Sequence, residues 1–438
     1  MSAIPKLLEK IITDVLKHQV SQLISPCQHG FMSRRSTMTN LLEFSSKTLA
    51  GFANGLQTDV IFTDFSKAFD TVNHDLLISK LERLGFSICA VTWIESYLKS
   101  RVQYVKFNGC LSSRVIQVSS GVPQGSHLGP LLFNLFINDL PSVILNSDIL
   151  MYADDVKLFI PLSHSTSTGL LQDDLNRLNT WCNANRLFLN CSKCKVMSFA
   201  RQNLVPTSYF IGTSLLERVH LFKDLGILLD SKLRYAEHIN LTVNKGYGVL
   251  ALIKRWAKEF NDPYTTKLLF TSLVRPILEY GSLLWNPGYN IYTNRLESVQ
   301  KQFLLFALRR WYSNRDANLP PYESRLMLID LPSLRNRRKV LGISFVNNLI
   351  NGLVDSVYSL HSLKFRVPSR VSRNFIPLNL DFYRSNYLCN EPLHRMFGDF
   401  NNYYEFFSIG DSSLSVKRTL LLHLKLNSVL LADEHNAL

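Results

Sequence analysis

Two adjacent carboxylates, Asp154 and Asp155, sit between the apolar runs Leu150-Met151-Tyr152-Ala153 and Val156-Lys157-Leu158-Phe159-Ile160. The pattern predicts a strand-turn-strand hairpin with acids at its tip. Neighbouring negative charges repel, so a tight turn gains from carrying them when a cation sits between them and a third ligand. An acid-rich surface turn is the competing account of the same residues. The third acid is Asp64, which closes the β-prone run Val60-Ile61-Phe62-Thr63. A carboxylate at the C-terminal end of a buried strand faces a cleft more often than a core. One acid at a strand end and two on a hairpin tip suit two-metal phosphoryl transfer. One Mg²⁺ activates an attacking 3′-hydroxyl while the other holds the triphosphate and the leaving oxygen.

The elements around these acids follow from local pattern. Ile4 to Leu23 carries Leu7, Leu8, Ile11, Ile12, Val15 and Leu16 near helical spacing, and Pro26 ends it. A basic loop, Cys27 to Thr37, precedes a second helix at about Met38 to Phe52. Its Arg34 and Arg35 are candidates to meet phosphates, or else a solvated turn. After Asp64, a helix with Leu77, Leu81 and Leu84 on one face stops at Gly85, completing a strand-acid-turn-helix unit. A helix around Ala90 to Ser100 leads to two β-like runs, Val102–Phe107 and Arg114–Ser119. Gly121-Val122-Pro123-Gln124-Gly125-Ser126-His127-Leu128-Gly129-Pro130 is a loop whose glycines let backbone approach a ligand, although many such loops only turn the chain. Pro130 suits the first turn of the apolar helix that follows, to Asp139. Beyond the hairpin, Leu171, Leu175, Leu178 and Trp181 mark a helix, and Lys195–Phe199, Tyr209–Ile211 and Val219–Leu229 read as strands. From about Ala236 the pattern is helical, with helices over His238–Phe260, Tyr264–Leu284, Thr293–Trp311 and Leu334–Gly352 and an irregular stretch over 360–415. A domain boundary is expected near residue 235.

The chain has 438 residues, enough for about two to four domains or subdomains. Its 48 Lys and Arg against 34 Asp and Glu leave a formal charge of +14, which points to a polyanionic partner, foremost nucleic acid. There is no run of 18 apolar residues and no signal peptide, so no membrane is expected and the protein reads as soluble and intracellular, in nucleus or cytoplasm. Seven scattered cysteines suggest reduced thiols, and Cys191-x-x-Cys194 lacks a second pair at zinc spacing.

Four segments, taken together and in order, resemble the palm motifs of reverse transcriptases. They are Phe62-Thr63-Asp64-Phe65-Ser66-Lys67-Ala68-Phe69-Asp70, Gly121-Val122-Pro123-Gln124-Gly125-Ser126, Tyr152-Ala153-Asp154-Asp155 and Phe222-Lys223-Asp224-Leu225-Gly226. The wording is similar to that of non-LTR (LINE-type) retrotransposons of the jockey kind, from about residue 4 to beyond 310. A looser pattern continues in Tyr322-Glu323-Ser324-Arg325-Leu326 and Arg337-Arg338.

The resemblance implies an α+β fold: a right-hand polymerase palm of antiparallel sheet and helices, with partial fingers, a helical thumb and a helical to irregular C-terminal region. In boundaries, this means partial fingers over 1–56, palm with remaining fingers elements over 57–235, thumb over 236–320 and a region of unassigned role over 321–438. It implies Asp64 and Asp154 as principal metal ligands, Asp155 as the third acid, and two Mg²⁺ or Mn²⁺ ions. The Phe65 backbone would approach metal and triphosphate. Gln124, beside Gly125, would contact nucleotide and template, and Arg34 and Arg35 would serve the nucleotide from the fingers. Phe69 would be the aromatic gate beneath the sugar; a ring there leaves no room for a 2′-hydroxyl, unless it is an ordinary core Phe. Lys193 falls where the family has a lysine that protonates leaving pyrophosphate, or is a surface lysine. Asp70 reads as a helix-start residue.

The family's proteins normally continue upstream through further fingers residues and an endonuclease, so the chain resembles an N-terminally truncated copy without the element's endonuclease. Two functions follow. One is an RNA-directed DNA polymerase that extends a DNA primer with dNTPs on an RNA template. The other is a catalytically impaired remnant that only binds nucleic acid.

Overall fold

The computed structural model describes residues 3–436 apart from 100, 109, 112–114, 164–166, 202–204, 206, 258, 260–261, 312–319, 368–375 and 384–385. Arg114 and Phe260, which close or open elements expected from the sequence, lie outside the described residues. The described chain forms two compact units, one of residues 1–40 and 50–220, the other of 41–49 and 221–438.

The first unit is built on a five-stranded sheet in the order Glu217–Arg218, Lys195–Phe199, Gln57–Thr63, Asp155–Leu162, Asp148–Tyr152. All neighbours run antiparallel except the short Glu217–Arg218, which runs parallel to Lys195–Phe199. The central strand Gln57–Thr63 is buried along its whole length, in keeping with its unbroken apolar segment Val60-Ile61-Phe62; its polar residues are buried as well. Its one charged residue, Asp59, is wholly buried and accepts hydrogen bonds from Gln57 Nε2 at 2.7 Å, Thr207 Oγ1 at 2.6 Å and Tyr209 Oη at 2.9 Å. The Arg218 guanidinium stands 3.7 Å away, so this acid is a satisfied part of the frame.

Helices cover the sheet. Ser167–Ala184 lays Leu171, Leu175, Leu178 and Trp181 into the core. Gly129–Phe136 is buried along nearly its whole length and packs with His74–Arg83, which in turn packs on Ile88–Lys99. Val102–Phe107 and Arg114–Ser119 were expected as two runs; four two-residue strands are found, paired Val102–Gln103 with Ile116–Gln117 and Lys106–Phe107 with Cys110–Leu111.

The second unit is mostly helical. Ala236–Trp256 packs on Asn290–Trp311 and Arg275–Glu279, and Leu334–Ile350 packs on Pro392–Tyr403 and Ser413–Asn436. Phe270 and Phe303 stack with centroids 4.2 Å apart. The structure departs from the sequence reading in three places here. The strand expected over Val219–Leu229 is a hairpin, Leu221–Asp224 paired with Ile227–Asp230, because Leu225 and Gly226 both take left-handed backbone. That hairpin joins the helical unit: Tyr280 Oη donates to Leu225 O at 2.8 Å, and Leu228 N donates to His238 Nδ1 at 3.2 Å. The units therefore divide at His220, ahead of the expected boundary near 235.

The single helix expected over Tyr264–Leu284 is interrupted. Pro263–Leu269 passes through a π-helical turn, Phe270–Val274, into Arg275–Glu279, and Gly281 at φ 70° restarts it as Ser282–Trp285. The stretch 360–415 contains the helix Pro392–Tyr403, which buries Leu393, Met396, Phe397 and Phe400 on one face. No described helix is long and apolar enough to cross a membrane.

Candidate active site

The acid hairpin forms as its sequence dictates: Tyr152 pairs with Asp155, leaving a two-residue turn of Ala153 and Asp154. Ala153 takes φ 56°. Two-residue hairpin turns ordinarily place glycine at such a position, and a left-handed alanine costs about 1 kcal/mol. The cost is offset by a brace from far away in the chain. Ala153 N donates to Gln28 Oε1 at 2.8 Å, the same oxygen that accepts from Gly30 N at 2.8 Å. The backbone around it is zipped as well, His29 N to Met151 O and Met151 N to Cys27 O, both 2.9 Å. Asn40 Nδ2 adds a bond to Met151 O at 3.1 Å, and Asn134 Nδ2 holds Gly30 O at 2.8 Å. Gly30 is a glycine for want of space: a Cβ there would lie 2.3 Å from Ala153 N.

Asp64 leaves the central strand immediately after Thr63, which pairs with Val156. A second loop fixes it. Asn190 N donates to Asp64 O at 2.8 Å, Ser66 N to Phe188 O at 2.8 Å, and Asp64 N to the Cys194 thiol sulfur at 3.4 Å. Cys194 is fully buried, and burial pushes its thiol up to about 11, so it is a neutral thiol beneath the acid. Phe65 is buried and bridges to Leu189.

The two loops bring Asp64 and Asp154 into each other's field. Burial pushes the Asp154 carboxyl above its usual range, and the Asp64 charge pushes it the same way, against a bond from its own backbone N–H. Asp64 Oδ2 is a buried oxygen without a hydrogen-bond partner. Lys193 Nζ stands 3.4 Å from it, close enough for an ion pair but not aligned to donate. A desolvated carboxylate in the field of a second one that keeps an unbonded oxygen is a donor set for a hard divalent cation, so the residues present fit one. Asp155 lies at the exposed start of its strand. Among the described residues no group of three or more His, Cys, Asp or Glu side chains stands in ready-made cation-binding geometry.

The glycine-rich loop is fastened to the segment after Asp64. Gly121 N donates to Val72 O and Val122 N to Phe69 O, both at 2.8 Å, and His74 Nε2 lies 2.9 Å from Gly121 O. Gly121, at φ 82°, has no room for a Cβ against the Asp70 backbone. Gln124 and Gly125 are exposed, with Gln124 Nε2 donating to Asp70 Oδ1 at 2.7 Å. Asp70 thus orients Gln124 from within the short helix Ala68–Thr71. Phe69 stacks on buried Phe133 at 4.4 Å and meets the half-exposed Phe31 edge-on at 6.2 Å.

The arginines of the first loop divide. Arg34 is exposed at φ 63°, whereas Arg35 Nη1 donates to Ser25 O at 3.0 Å and to Gln28 O at 2.8 Å. Arg35 therefore holds the loop that braces the acid hairpin. The sequence reading missed Gln28, Gly30, Asn40, Asn134 and Cys194; a lone signal was available in Gly30, set between bulky neighbours with no turn of its own to explain it.

The reverse transcriptase (RNA-dependent DNA polymerase) family profile matches residues 1–235. The chain is 28% identical over 349 residues to the probable RNA-directed DNA polymerase from transposon BS of Drosophila melanogaster, covering 74% of this chain and 38% of that protein. It is 30% identical over 320 residues to the RNA-directed DNA polymerase from mobile element jockey of Drosophila funebris, covering 69% and 34%. The chain thus spans little more than a third of the length of these relatives. Among solved structures, apo telomerase from Candida tropicalis overlays with a TM-score of 0.39 at 10% identity, covering 75% of this chain and 54% of that one. With the family profile spanning more than half its length, the chain belongs to the reverse transcriptase family.

Proposed function

We propose that this chain is the polymerase part of a non-LTR retrotransposon reverse transcriptase, extending a DNA primer with dNTPs on an RNA template. The observation that carries the reading is the pair Asp64 and Asp154, held by two separate loops, one carboxyl desolvated and the other with an unpaired buried oxygen. A fold gains nothing from such a pair unless a cation completes it. Asp64 and Asp154 would hold Mg²⁺ or Mn²⁺, with the Phe65 carbonyl and Asp155 as further oxygen donors. Two bound ions would supply Lewis-acid activation of a 3′-hydroxyl and charge neutralisation on the triphosphate.

The remaining roles belong to the chain's own groups. Lys193, beside Asp64, is placed to give a proton to departing pyrophosphate. Phe69, backed by Phe133, presents a rigid ring to the sugar and excludes a 2′-hydroxyl. Gln124 and Gly125 lie on the exposed side of a loop that Asp70 and Val72 hold still. Arg34, exposed near the acid hairpin's brace, is the loop cation available to a triphosphate. In this reading 57–235 act as palm with fingers elements, 236–320 as thumb, and the charge of +14 holds template and primer by their phosphates.

Primer extension on poly(rA)/oligo(dT) with Mg²⁺ or Mn²⁺ tests the proposal. The parent chain should extend, and Asp64→Asn and Asp154→Asn should not, with template-primer affinity nearly unchanged. Affinity should fall with salt at a log–log slope of roughly −0.7 to −0.9 per phosphate contacted. Binding without extension by the parent would leave only a nucleic-acid-binding remnant.

A further inference from the structure

The second unit contains a cavity of about 440 Å³, walled by Trp285, Tyr289, Tyr292 and Tyr387, with Asn390 and Arg234 at its edge. It lies wholly within residues 41–49 and 221–438 and is separate from the acid pair. We propose that it receives one unpaired nucleotide of a single-stranded nucleic acid. The inference rests on the reading that this chain binds nucleic acid, and adds where one base goes.

Three features select this occupant. The volume is near the lower end of ligand pockets, about 300 to 1,000 Å³, and so suits one nucleotide rather than a helix or a strand of peptide. Flat aromatic rings, which stack on any base face, form part of the walls, between aliphatic Leu49, Leu233, Leu284 and Ile291. The charge is one-signed: the lining carries Arg234 and Arg395 and, among the described residues, no Asp or Glu. Arg395 is committed to the frame, with Nη1 to Asn286 O at 3.1 Å and Nη2 to Leu283 O at 2.7 Å. Arg234 is exposed and feels the Tyr387 hydroxyl at 3.4 Å, leaving its guanidinium edge for a phosphate.

The cavity is also preformed. Arg338 Nε donates to Asn286 Oδ1 at 2.9 Å, and Gly288 has no room for a Cβ against the Asn390 side chain. Asp230, outside the lining, accepts from the backbone N–H groups of Lys232, Arg234 and Tyr235, fixing the loop that carries Arg234. Tyr387 Oη donates to Lys232 O at 2.8 Å and ties the two walls. Tyr289 differs from all of these: the residue is 64% exposed, and its backbone oxygen accepts from the helix that starts beside it. A ring held open at the mouth of a rigid aromatic cavity is a stacking partner in waiting.

The test uses the full chain and a single-stranded oligonucleotide with one 2-aminopurine, whose fluorescence reports stacking. The parent should bind it and alter its fluorescence. Tyr289→Ala should weaken single-strand binding about tenfold, as the loss of one base stack does, and abolish the fluorescence change, while blunt duplex affinity stays as in the parent. Tyr289→Phe should restore both, since stacking needs the ring and not the hydroxyl. Arg234→Gln should weaken binding and lower the salt slope by about one phosphate.

Unchanged single-strand affinity and fluorescence in Tyr289→Ala overturn the proposal, and so does an equal loss on blunt duplex. Tyr289-dependent binding of free AMP with no effect on the oligonucleotide would assign the cavity to a free nucleotide and overturn it too. These results leave the polymerase reading standing. A parent that binds no oligonucleotide removes both.

Discussion

Acids are handled differently in the two units, and the difference separates architecture from chemistry. In the second unit several have close cationic or hydrogen-bonding partners. Asp330 takes Lys267 at 3.3 Å and Lys425 at 2.6 Å, which together hold its carboxyl below the usual range. Glu279 is gripped by two nitrogens of Arg337, and Glu297 accepts from Tyr322 Oη and Arg335 N. Burial raises Asp399, but Lys339, Arg395 and Arg335 oppose it. The first unit satisfies Asp59 and Asp174 in the same manner, the latter with the N–H groups of Leu145, Asn146 and Ser147. What sets Asp64 and Asp154 apart is that two acids lie in each other's field, one raised by burial and the other with a buried oxygen that accepts no hydrogen bond, and beside them stands a left-handed alanine. Unsatisfied charge and backbone strain coincide at one place, as expected where a fold gives up stability for function.

The sharpest way to break this contrast is to neutralise acids of both kinds. Asp154→Asn should reduce primer extension by about a thousandfold or more, the loss expected of a metal ligand. In metal-free buffer it should also leave the melting temperature unchanged or raised, because the native carboxyl is charged against burial and against Asp64. Glu279→Gln should do the reverse, costing about 3 kcal/mol by stranding the partly buried Arg337. Extension by Asp154→Asn within tenfold of the parent, or a loss of stability like that of Glu279→Gln, would return Asp154 to the satisfied class.

The brace gives the next effect. In Gly30→Ala the added methyl meets Ala153 N at 2.3 Å, and neither partner is a flexible side-chain end. The hairpin must shift, at a cost of about 1 to 3 kcal/mol, and Asp154 shifts with it. Extension should fall at least tenfold in protein that still melts cooperatively. By contrast Gly248→Ala, in the second unit, faces open space within a helix and should be neutral or stabilising by up to about 1 kcal/mol. Thermal melts and extension rates on the two variants decide it.

Much of the first unit was legible because its signals are local. The run Val60–Thr63, the two-residue break at Ala153-Asp154, and the four-residue spacing of Leu171 and Leu175 each report on their own neighbours in the chain. The sequence order of Asp64 and Asp154, with the flanking motifs, pointed to the site. What it could not show was the support: Gln28 reaches Ala153 across 125 residues, and Cys194 reaches Asp64 across 130. Nothing in either segment's own pattern reports the other. Asp155, equal to Asp154 in sequence, differs in place: Asp154 belongs to the turn, whereas Asp155 pairs with Tyr152 and opens its strand at an exposed position. In the second unit the misreadings were backbone events inside apolar stretches. The π-helical turn at Phe270–Val274 buries Phe270 and Val274 at its two ends, so the apolar pattern runs on across the break. Pro392–Tyr403 has Gly398 and a polar face that mask a short amphipathic helix.

The smallest effect sharpens the comparison by finding where the two units behave alike. Each buries a histidine that burial and nearby cations hold neutral. His29, beside the brace, is pushed down to about 3, first by burial and then by the charges of Arg35 and Lys157. His238 is pushed down to about 4, by burial and then by Lys245 and Lys223. His238 Nδ1 accepts from Leu228 N, so protonating that nitrogen would break the bond that docks the Leu221–Asp230 hairpin. In both cases the folded state refuses a proton that the unfolded chain takes up near pH 6.5. The stability these rings contribute is complete above that pH and is lost progressively as pH falls toward the folded values. Between pH 7 and pH 5.5 each should cost roughly 1 kcal/mol. His238 packs edge-on against Trp285 at 5.5 Å, so in a variant with Trp93 and Trp181 replaced by Phe, tryptophan emission follows the second unit in this range. His238→Gln should flatten the pH dependence of that signal and leave the dependence of primer extension untouched, whereas His29→Gln should flatten the acid loss of extension. If either substitution moves both readouts equally, or neither, the histidines are not the proton-refusing groups and the acid sensitivity lies elsewhere.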